Sequence, residues 1–120
     1  MSLELLLPVN NEAILGLSML PKQVIGKNID IHTEESGLPE LKGLQIAIVG
    51  LVEQRNSFFA NAQYDVNQFR REFYELYPGN WKLKIADLGD LSNGEKVKDT
   101  YFAIKEIGFH LKQMNIIPVF

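Results

Sequence analysis

An apolar run occupies positions 45–52, Gln-Ile-Ala-Ile-Val-Gly-Leu-Val, and the polar residues Glu-Gln-Arg-Asn follow it. A strand that helices cover on both sides has no polar face, so it lacks the alternation of a half-exposed antiparallel strand. This run therefore predicts a strand that is buried on both faces. Two later segments also have strand character, at 81–88, where an alternating pattern becomes apolar, and at 116–120.

Helical spacing separates these strands. From position 62 to position 77, apolar residues recur on one helical face, and a Pro-Gly pair then ends the pattern. The predicted inward stripe of this helix consists of Val66, Phe69, Phe73, Leu76 and Tyr77. A second helix is predicted from Lys98 or Asp99 to Met114, with Asn115 as a left-handed C-cap. Its inward stripe consists of Ala103, Ile104, Ile107, Leu111 and Met114.

The order strand, helix, strand, helix, strand predicts an α/β fold with a short parallel sheet, because strands joined through helices cannot pair as hairpins. We expect three layers, α/β/α, with the first strand between the other two, which gives the strand order 2-1-3. Binding sites of such sheets gather beyond the carboxyl ends of the strands. The loops at 53–61 and 89–94 emerge there.

The residues before the first strand predict an N-terminal arm. A short helix is expected from Asn10 or Asn11 to about Leu20, where Pro21 stops it. A short alternating strand at 29–33 and a polar linker at 34–40 follow. We therefore divide the chain into an arm, 1–40, and an α/β unit, 41–120, which we expect to be the N-terminal portion of a longer domain. A naturally small domain is the alternative.

Composition narrows the function classes. The chain has 120 residues, of which 46% are hydrophobic and 22% charged, and its formal net charge is −3. Scattered basic residues and a negative charge argue against a nucleic-acid partner. The absence of cysteine excludes disulfides and thiolate metal sites. No signal peptide and no apolar run of roughly 20 residues is present, so we expect a cytoplasmic protein without a membrane partner.

Few residues suggest chemistry. Gly50 stands alone after the first strand, without the further glycines that a dinucleotide site requires. Asp87 and Asp90 at a strand end could hold a cation or act as an acid and base pair, although hydrogen bonds to loop backbone or a neighbour are the favoured interpretation. His32 and His110 have no partner at metal-ligand spacing, which favours structural roles.

Four side chains are predicted to face a possible substrate at the carboxyl end of the sheet. They are Glu53, Arg55, Asn56 and Asp90. Their position beyond the strand ends is the reason for the prediction. A solvated loop is the competing interpretation for the first three.

Five short motifs, taken in order, resemble the beginning of the ureohydrolase superfamily, the arginase, agmatinase and formimidoylglutamase group. They are Ile-Ala-Ile-Val-Gly at 46–50, Phe-Arg-Arg-Glu-Phe-Tyr at 69–74, Ile-Ala-Asp-Leu-Gly-Asp-Leu at 85–91, Asp-Thr at 99–100 and Asn-Ile-Ile-Pro-Val at 115–119. The residues Leu-Pro-Val at 7–9 and Ile-Asp-Ile-His-Thr-Glu at 29–34 are similar to the formimidoylglutamase-like branch. The loop at 53–61 departs from the family, which usually has glycine and proline there.

The resemblance implies a hydrolase with two manganese ions, in which a metal-bridging hydroxide attacks a guanidinium or formimino carbon. Formiminoglutamate, agmatine or arginine would be the substrate. The family's metal ligands lie in Gly-Gly-Asp-His, Asp-x-His-x-Asp and Asp-x-Asp motifs, which would all follow Phe120. We therefore expect no catalytic, cofactor-binding or metal-binding residue in this chain.

Two further expectations concern partners and a rival function. The partner implied by the resemblance is the remainder of the same domain, and an exposed strand edge makes a homo-oligomer possible. The rival is a non-catalytic scaffold, interaction domain or small-ligand-binding domain without the metal motifs.

Overall fold

The computed structural model describes residues 2–55 and 65–120. In these two ranges, five strands form one mixed sheet, accompanied by three α-helices and by 3-10 turns at Ser2–Leu5, Leu17–Met19 and Ile25–Lys27. The strands are β1 (Leu6–Leu7), β2 (Asp30–Ile31), β3 (Ile46–Leu51), β4 (Ile85–Leu91) and β5 (Ile117–Val119). The helices are α1 (Asn11–Ile14), α2 (Val66–Glu75) and α3 (Val97–Gln113). Within the two described ranges, no helix is long and apolar enough to cross a membrane.

The sheet differs from the predicted one. β3 lies between β4 and β5 and is parallel to both. The outer edge of β4, however, carries two more strands, β1 in antiparallel and β2 in parallel orientation. The order is therefore β1-β4-β3-β5 with β2 also on β4. The three predicted strands do stand in the order 2-1-3, but the prediction that they form the whole sheet and that the sheet is entirely parallel is wrong. β2 lies within the alternating segment predicted at 29–33, whereas β1 lies in an apolar segment without alternation, so the sequence did not predict it.

One face of the sheet packs against α3. Ala47 and Val49 of β3 belong to the same buried cluster as Ile107 and Leu111 of α3. The opposite face, which carries Ile46 and Ile48, is only half-buried. The prediction of a strand buried on both faces is therefore wrong on this side. The arm and the α/β unit share this core, because Leu3 and Leu6 also belong to the cluster.

The helix α3 agrees with its prediction in most respects. Ala103, Ile107 and Leu111 of the predicted stripe are buried, whereas Met114 at its end is exposed. The side chain of Asp99 accepts a hydrogen bond from the backbone N–H of Lys96 at 3.0 Å, which closes a capping box. Asn115 has φ of 60°, which confirms the left-handed C-cap.

The first helix is shorter than predicted. Asn10 caps α1 by accepting a hydrogen bond from the N–H of Glu12 at 2.8 Å, but the helix ends at Ile14. Gly16 follows, and glycine is a poor helix former. Leu15 and Met19, which would have continued the apolar stripe, are exposed. Leu17 and Leu20 beyond the glycine are only half-buried, which does not offset its low helix propensity, and the segment continues as a 3-10 turn instead.

The inward face of α2 is not the predicted one. Arg70 and Tyr74 are its buried residues, whereas Phe69, Leu76 and Tyr77 of the predicted stripe are exposed. The prediction was wrong because it placed the apolar side chains against the sheet, and the sheet presents carboxylates to this helix instead.

Candidate functional site

A bulge in β4 brings two carboxylates to one face of the sheet. In the register with β3, Ile48 pairs with Asp87 and Gly50 pairs with Asp90, so β4 has one residue more between the pairs. Residues three apart in a regular strand point to opposite faces. The extra residue, Gly89 with φ of 92°, turns the side chains of Asp87 and Asp90 to the same face of the sheet. The bulge also explains why the strand continues through 89–91, which the sequence predicted to be a loop.

Arg70 of α2 binds both carboxylates. Its Nε and Nη2 donate to Oδ2 and Oδ1 of Asp87 at 2.8 and 3.0 Å, a bidentate pair. Its Nη1 donates to Oδ1 of Asp90 at 2.6 Å. The side chains of Arg70 and Asp87 are each 1% exposed and that of Asp90 is 15% exposed. The helix and the bulged strand are thus joined by a buried ion cluster.

Asp87 is saturated with donors. Besides Arg70, the hydroxyl of Tyr74 donates to its Oδ2 at 2.6 Å, and the backbone N–H of Gly89 donates to its Oδ1 at 3.0 Å. Each carboxylate oxygen therefore accepts two hydrogen bonds. A carboxylate held in this way is poorly placed to accept a proton from a substrate or to ligate a metal.

Within the cluster, Arg70 and Tyr74 keep their usual states of charge. Burial acts to lower the pKa of Arg70, but the hydrogen bonds and charges of Asp87 and Asp90 outweigh burial and raise it. Burial, followed by the charge of Asp87, raises the pKa of Tyr74. Arg70 is therefore a permanent cation and Tyr74 a neutral donor. One cation against two carboxylates leaves a formal charge of −1.

Gly50 has a steric role in this cluster. A Cβ atom there would collide with Oδ1 of Asp90 and would lie 2.9 Å from Nη2 of Arg70. The absence of a side chain lets the guanidinium lie directly against β3. The lone glycine of the first strand thus makes room for an ion pair.

A second polar cluster follows β3. Nε and Nη2 of Arg55 donate to the two carboxylate oxygens of Glu53 at 2.9 and 2.7 Å, and the Thr100 hydroxyl donates to the same carboxylate at 2.8 Å. Arg55 also donates to the carbonyls of Gly94 and Glu95 at 2.7 and 3.0 Å. The hydrogen bond from Arg55 is the first cause that lowers the pKa of Glu53 to about 2. These contacts tie the loop after β3 to the start of α3.

The four side chains predicted to face a substrate therefore do not form one site. Glu53 and Arg55 bind each other, and Asp90 belongs to the cluster of Arg70. Asn56 lies outside the described residues. Among the described side chains, the structure does not bring Asp90 into contact with Glu53 or Arg55.

The histidines lie apart. Nδ1 of the buried His32 is 2.8 Å from the carbonyl oxygen of Leu88, and because a carbonyl only accepts, Nδ1 carries the proton. His110 is a half-buried residue of α3. In residues 2–55 and 65–120, no three His, Cys, Asp or Glu side chains come together as metal ligands could.

Sequence reasoning missed Arg70 and Tyr74 as members of the cluster. Their spacing of four residues places them on one face of a helix, which is a usable signal. That face is flanked by aromatic residues, and their apolar pattern gave the stronger signal for the neighbouring face.

No protein-family model, curated protein or solved structure matched the chain.

Proposed function

We propose that the chain is the N-terminal, non-catalytic part of a ureohydrolase-like protein. The complete protein would hydrolyse a C–N bond of a guanidino or formimino compound, such as formiminoglutamate, agmatine or arginine, at a dimanganese site. In this proposal the sheet is the beginning of a three-layer α/β/α domain. The observation that carries the proposal is the contact of Arg70 with Asp87 and Asp90.

This contact supports the resemblance because it joins two of its motifs. The segments 69–74 and 85–91 were compared with the family as separate stretches of sequence. In the fold, the arginine of one binds the aspartates of the other, across 17 and 20 residues of chain. Neither charge could be buried without the other at acceptable cost. A pairing of this kind gives a physical reason for the two motifs to occur together.

The residues that the structure describes do not fit a dimanganese centre. Metal-assisted hydrolysis requires carboxylate and imidazole groups that are free to coordinate. Both oxygens of Asp87 accept hydrogen bonds within the fold, and among residues 2–55 and 65–120 no three His, Cys, Asp or Glu side chains come together as ligands could. The role proposed for these residues is therefore to fix the carboxyl ends of β3 and β4.

Two measurements on the 120-residue chain test the non-catalytic role. Calorimetric titration with manganese(II) is expected to show no tight stoichiometric site. Incubation with arginine, agmatine or formiminoglutamate and manganese is expected to release no urea, ammonia or formamide above the protein-free rate. A tight site or turnover by this chain alone would contradict the proposal.

A second candidate function is an interaction or small-ligand-binding domain without metal chemistry. The observation that favours it is apolar surface on the α2 side of the sheet, where Phe69 is 56% and Ile117 is 62% exposed. Exposed apolar surface of this kind marks binding faces on many proteins. The two candidates differ in the sequence expected after Phe120, where only the first requires metal motifs.

A further inference from the structure

The outward face of α3 carries aromatic side chains that the fold leaves uncovered. Phe102 and Phe109 are 63% and 64% exposed, and Tyr101 beside them is 52% exposed. Phe102 and Phe109 are seven residues apart, so they lie nearly in line on the helix, opposite the face that Ile107 buries against the sheet. An aromatic row on the outer face of a helix is typical of a surface that binds another protein.

Opposite charges flank this aromatic row. Residues three and four positions along a helix lie on either side of the first one, so Lys105 lies on one flank of Phe102 and Glu106 on the other. Lys98 and Asp99 occupy the same two flanks one heptad earlier. Lys105 and Glu106 are exposed, and neither forms an ion pair with another described residue. One flank is thus basic and the other acidic.

A face of this kind is complementary to a second copy of itself. When two copies of α3 pack in parallel about a two-fold axis, the basic flank of each helix meets the acidic flank of the other. Lys105 then faces Glu106 of the second copy on both sides of the contact. In an antiparallel pair, the two-fold axis brings each flank onto its own copy, and like charges meet. An anionic membrane surface fits less well, because the acidic flank and the net charge of −3 oppose it.

The free edge of the sheet is poorly suited to self-association. In the part of the chain that the structure describes, β5 is an edge strand. The N–H of Ile117 donates to the carbonyl of Gln45 at 2.9 Å, so the backbone of the next residue faces the free edge. That residue is Pro118, which has no N–H to donate to an added strand. The outer face of α3 is therefore the better surface for a second copy.

We propose that the chain forms a parallel homodimer through α3, in which Phe102 and Phe109 pack against their counterparts and Lys105 pairs with Glu106 of the second copy. The helix has 17 residues and is about 25 Å long. One helix face of this length buries less than the roughly 800 Å² per partner of a standard interface. The dimer is therefore expected to be weak, with a Kd of roughly 10–100 μM.

Sedimentation velocity of the 120-residue chain from about 5 to 500 μM tests the dimer, since this range brackets the expected Kd. The wild type is expected to pass from monomer to dimer, and Phe102→Ala and Phe109→Ala are expected to stay monomeric. Phe69→Ala, at a similarly exposed phenylalanine of α2, is the matched control and should dimerise as the wild type does. Circular dichroism verifies the folding of each variant. A wild type that stays monomeric, or a dimer that only Phe69→Ala dissociates, would overturn the proposal.

Reversal of single charges tests the pairing of the flanks. Lys105→Glu and Glu106→Lys each place like charges opposite each other on both sides of the contact, and each should raise the Kd roughly tenfold. The double variant Lys105→Glu/Glu106→Lys exchanges the flanks and is expected to restore the Kd of the wild type. Lys82→Glu, at an exposed site before β4, changes the net charge as Lys105→Glu does and should leave the Kd unchanged. A double variant as weak as the single ones, or equal weakening by Lys82→Glu, would contradict the pairing.

Cross-linking tests the parallel orientation. The chain has no cysteine, so Gln113→Cys introduces a single thiol at the end of α3. In the parallel dimer the two thiols lie side by side, and a short bis-maleimide is expected to join the chains. In an antiparallel pair, residue 113 would lie opposite residue 98 and about 22 Å along the axis from its own copy. Lys82→Cys measures the yield from random collisions, and an equal yield from Gln113→Cys would overturn the parallel arrangement.

Discussion

Removal of the Arg70 guanidinium is the sharpest test of how the fold is held together. Arg70→Met keeps most of the length of the side chain and deletes the cation. Asp87 would then remain as a carboxylate that is 1% exposed and has lost both of its hydrogen bonds to Arg70. Arg71→Met is the matched control, since Arg71 is the next residue of α2 but is 41% exposed.

The two variants are expected to differ widely in stability. Removal of one partner of a buried ion pair typically costs about 3–5 kcal/mol, because the other charge stays buried without compensation. Among the described residues, the ion pairs of Arg71 are longer ones with Glu12 and Asp65, at 3.4 and 3.8 Å, and exposed pairs of this kind contribute at most about 1 kcal/mol. At about 4 °C per kcal/mol for a domain of this size, Arg70→Met should lower Tm by roughly 12–20 °C.

Urea unfolding followed by circular dichroism measures the difference. With an m-value of about 2 kcal/mol/M, a loss of about 4 kcal/mol lowers the midpoint by roughly 2 M. A double-mutant cycle with Asp87→Asn should show a coupling free energy of about 2–3 kcal/mol between the two residues. If Arg70→Met costs no more than Arg71→Met, the cluster does not hold α2 to the sheet and the argument fails.

Three further predictions concern single groups. Tyr74→Phe removes a donor to a buried carboxylate and is expected to lower the free energy of unfolding in urea by about 1.5–3 kcal/mol. Tyr77→Phe, at an exposed site, should change it by almost nothing. Equal losses in the two variants would contradict the buried hydrogen bond. Gly89→Ala places a Cβ against the backbone oxygen of residue 7 at φ of 92° and should destabilise by more than about 1 kcal/mol. Gly16→Ala, with φ of −90° and no atom within 4 Å of the added carbon, should be neutral or stabilising, and a loss equal to that of Gly89→Ala would refute the steric argument. The pKa of Glu53 is lowered from 4.5 to about 2, so its contribution to stability is present above pH 4.5 and is lost as the pH falls through about 2. Glu53→Gln should lack this part of the pH dependence of the unfolding free energy, and superimposable pH profiles would contradict it.

The elements that the sequence predicted well are those whose pattern follows from packing on one apolar face. α3 is of this kind, since Ile107 lies in the core and a helical periodicity is enough to recognise the element. β3 was located by its unbroken apolar run instead, although Ile46 and Ile48 on its α2 side are only half-buried. The left-handed conformation of Asn115 was predictable for a similar reason, because a helix end has local rules.

The elements that were mispredicted depend on distant partners. Nothing within α2 indicates that Arg70 is buried, because the carboxylates that compensate it lie 17 and 20 residues further along the chain. The aromatic residues of α2 gave the stronger local signal, and they lie beside the cluster rather than over the sheet. A buried charge is an exception to the hydrophobic pattern, so the pattern alone pointed to the wrong face.

The location of the polar residues at the carboxyl end of the sheet was predictable, whereas their contacts were not. The carboxyl end of the sheet was the expected location, and Asp90 lies there in a cluster with Arg70. Glu53 and Arg55 were placed correctly at the end of β3, but their mutual hydrogen bonds are not readable from sequence, since residues two apart meet only when the loop turns between them. The bulge at Gly89 was also unpredictable, because it is defined by the register of two strands.

The reading frame that follows the codon for Phe120 tests the proposed function most directly. Sequencing of the natural transcript past this codon is expected to reveal Gly-Gly-Asp-His, followed further on by Asp-x-His-x-Asp, which are the ligand motifs that the ureohydrolase resemblance implies. With these motifs present, the protein is a candidate dimanganese hydrolase whose first segment is held together by Arg70. A stop codon, or a continuation without those histidines and aspartates, would contradict the proposal and leave the binding domain as the better account.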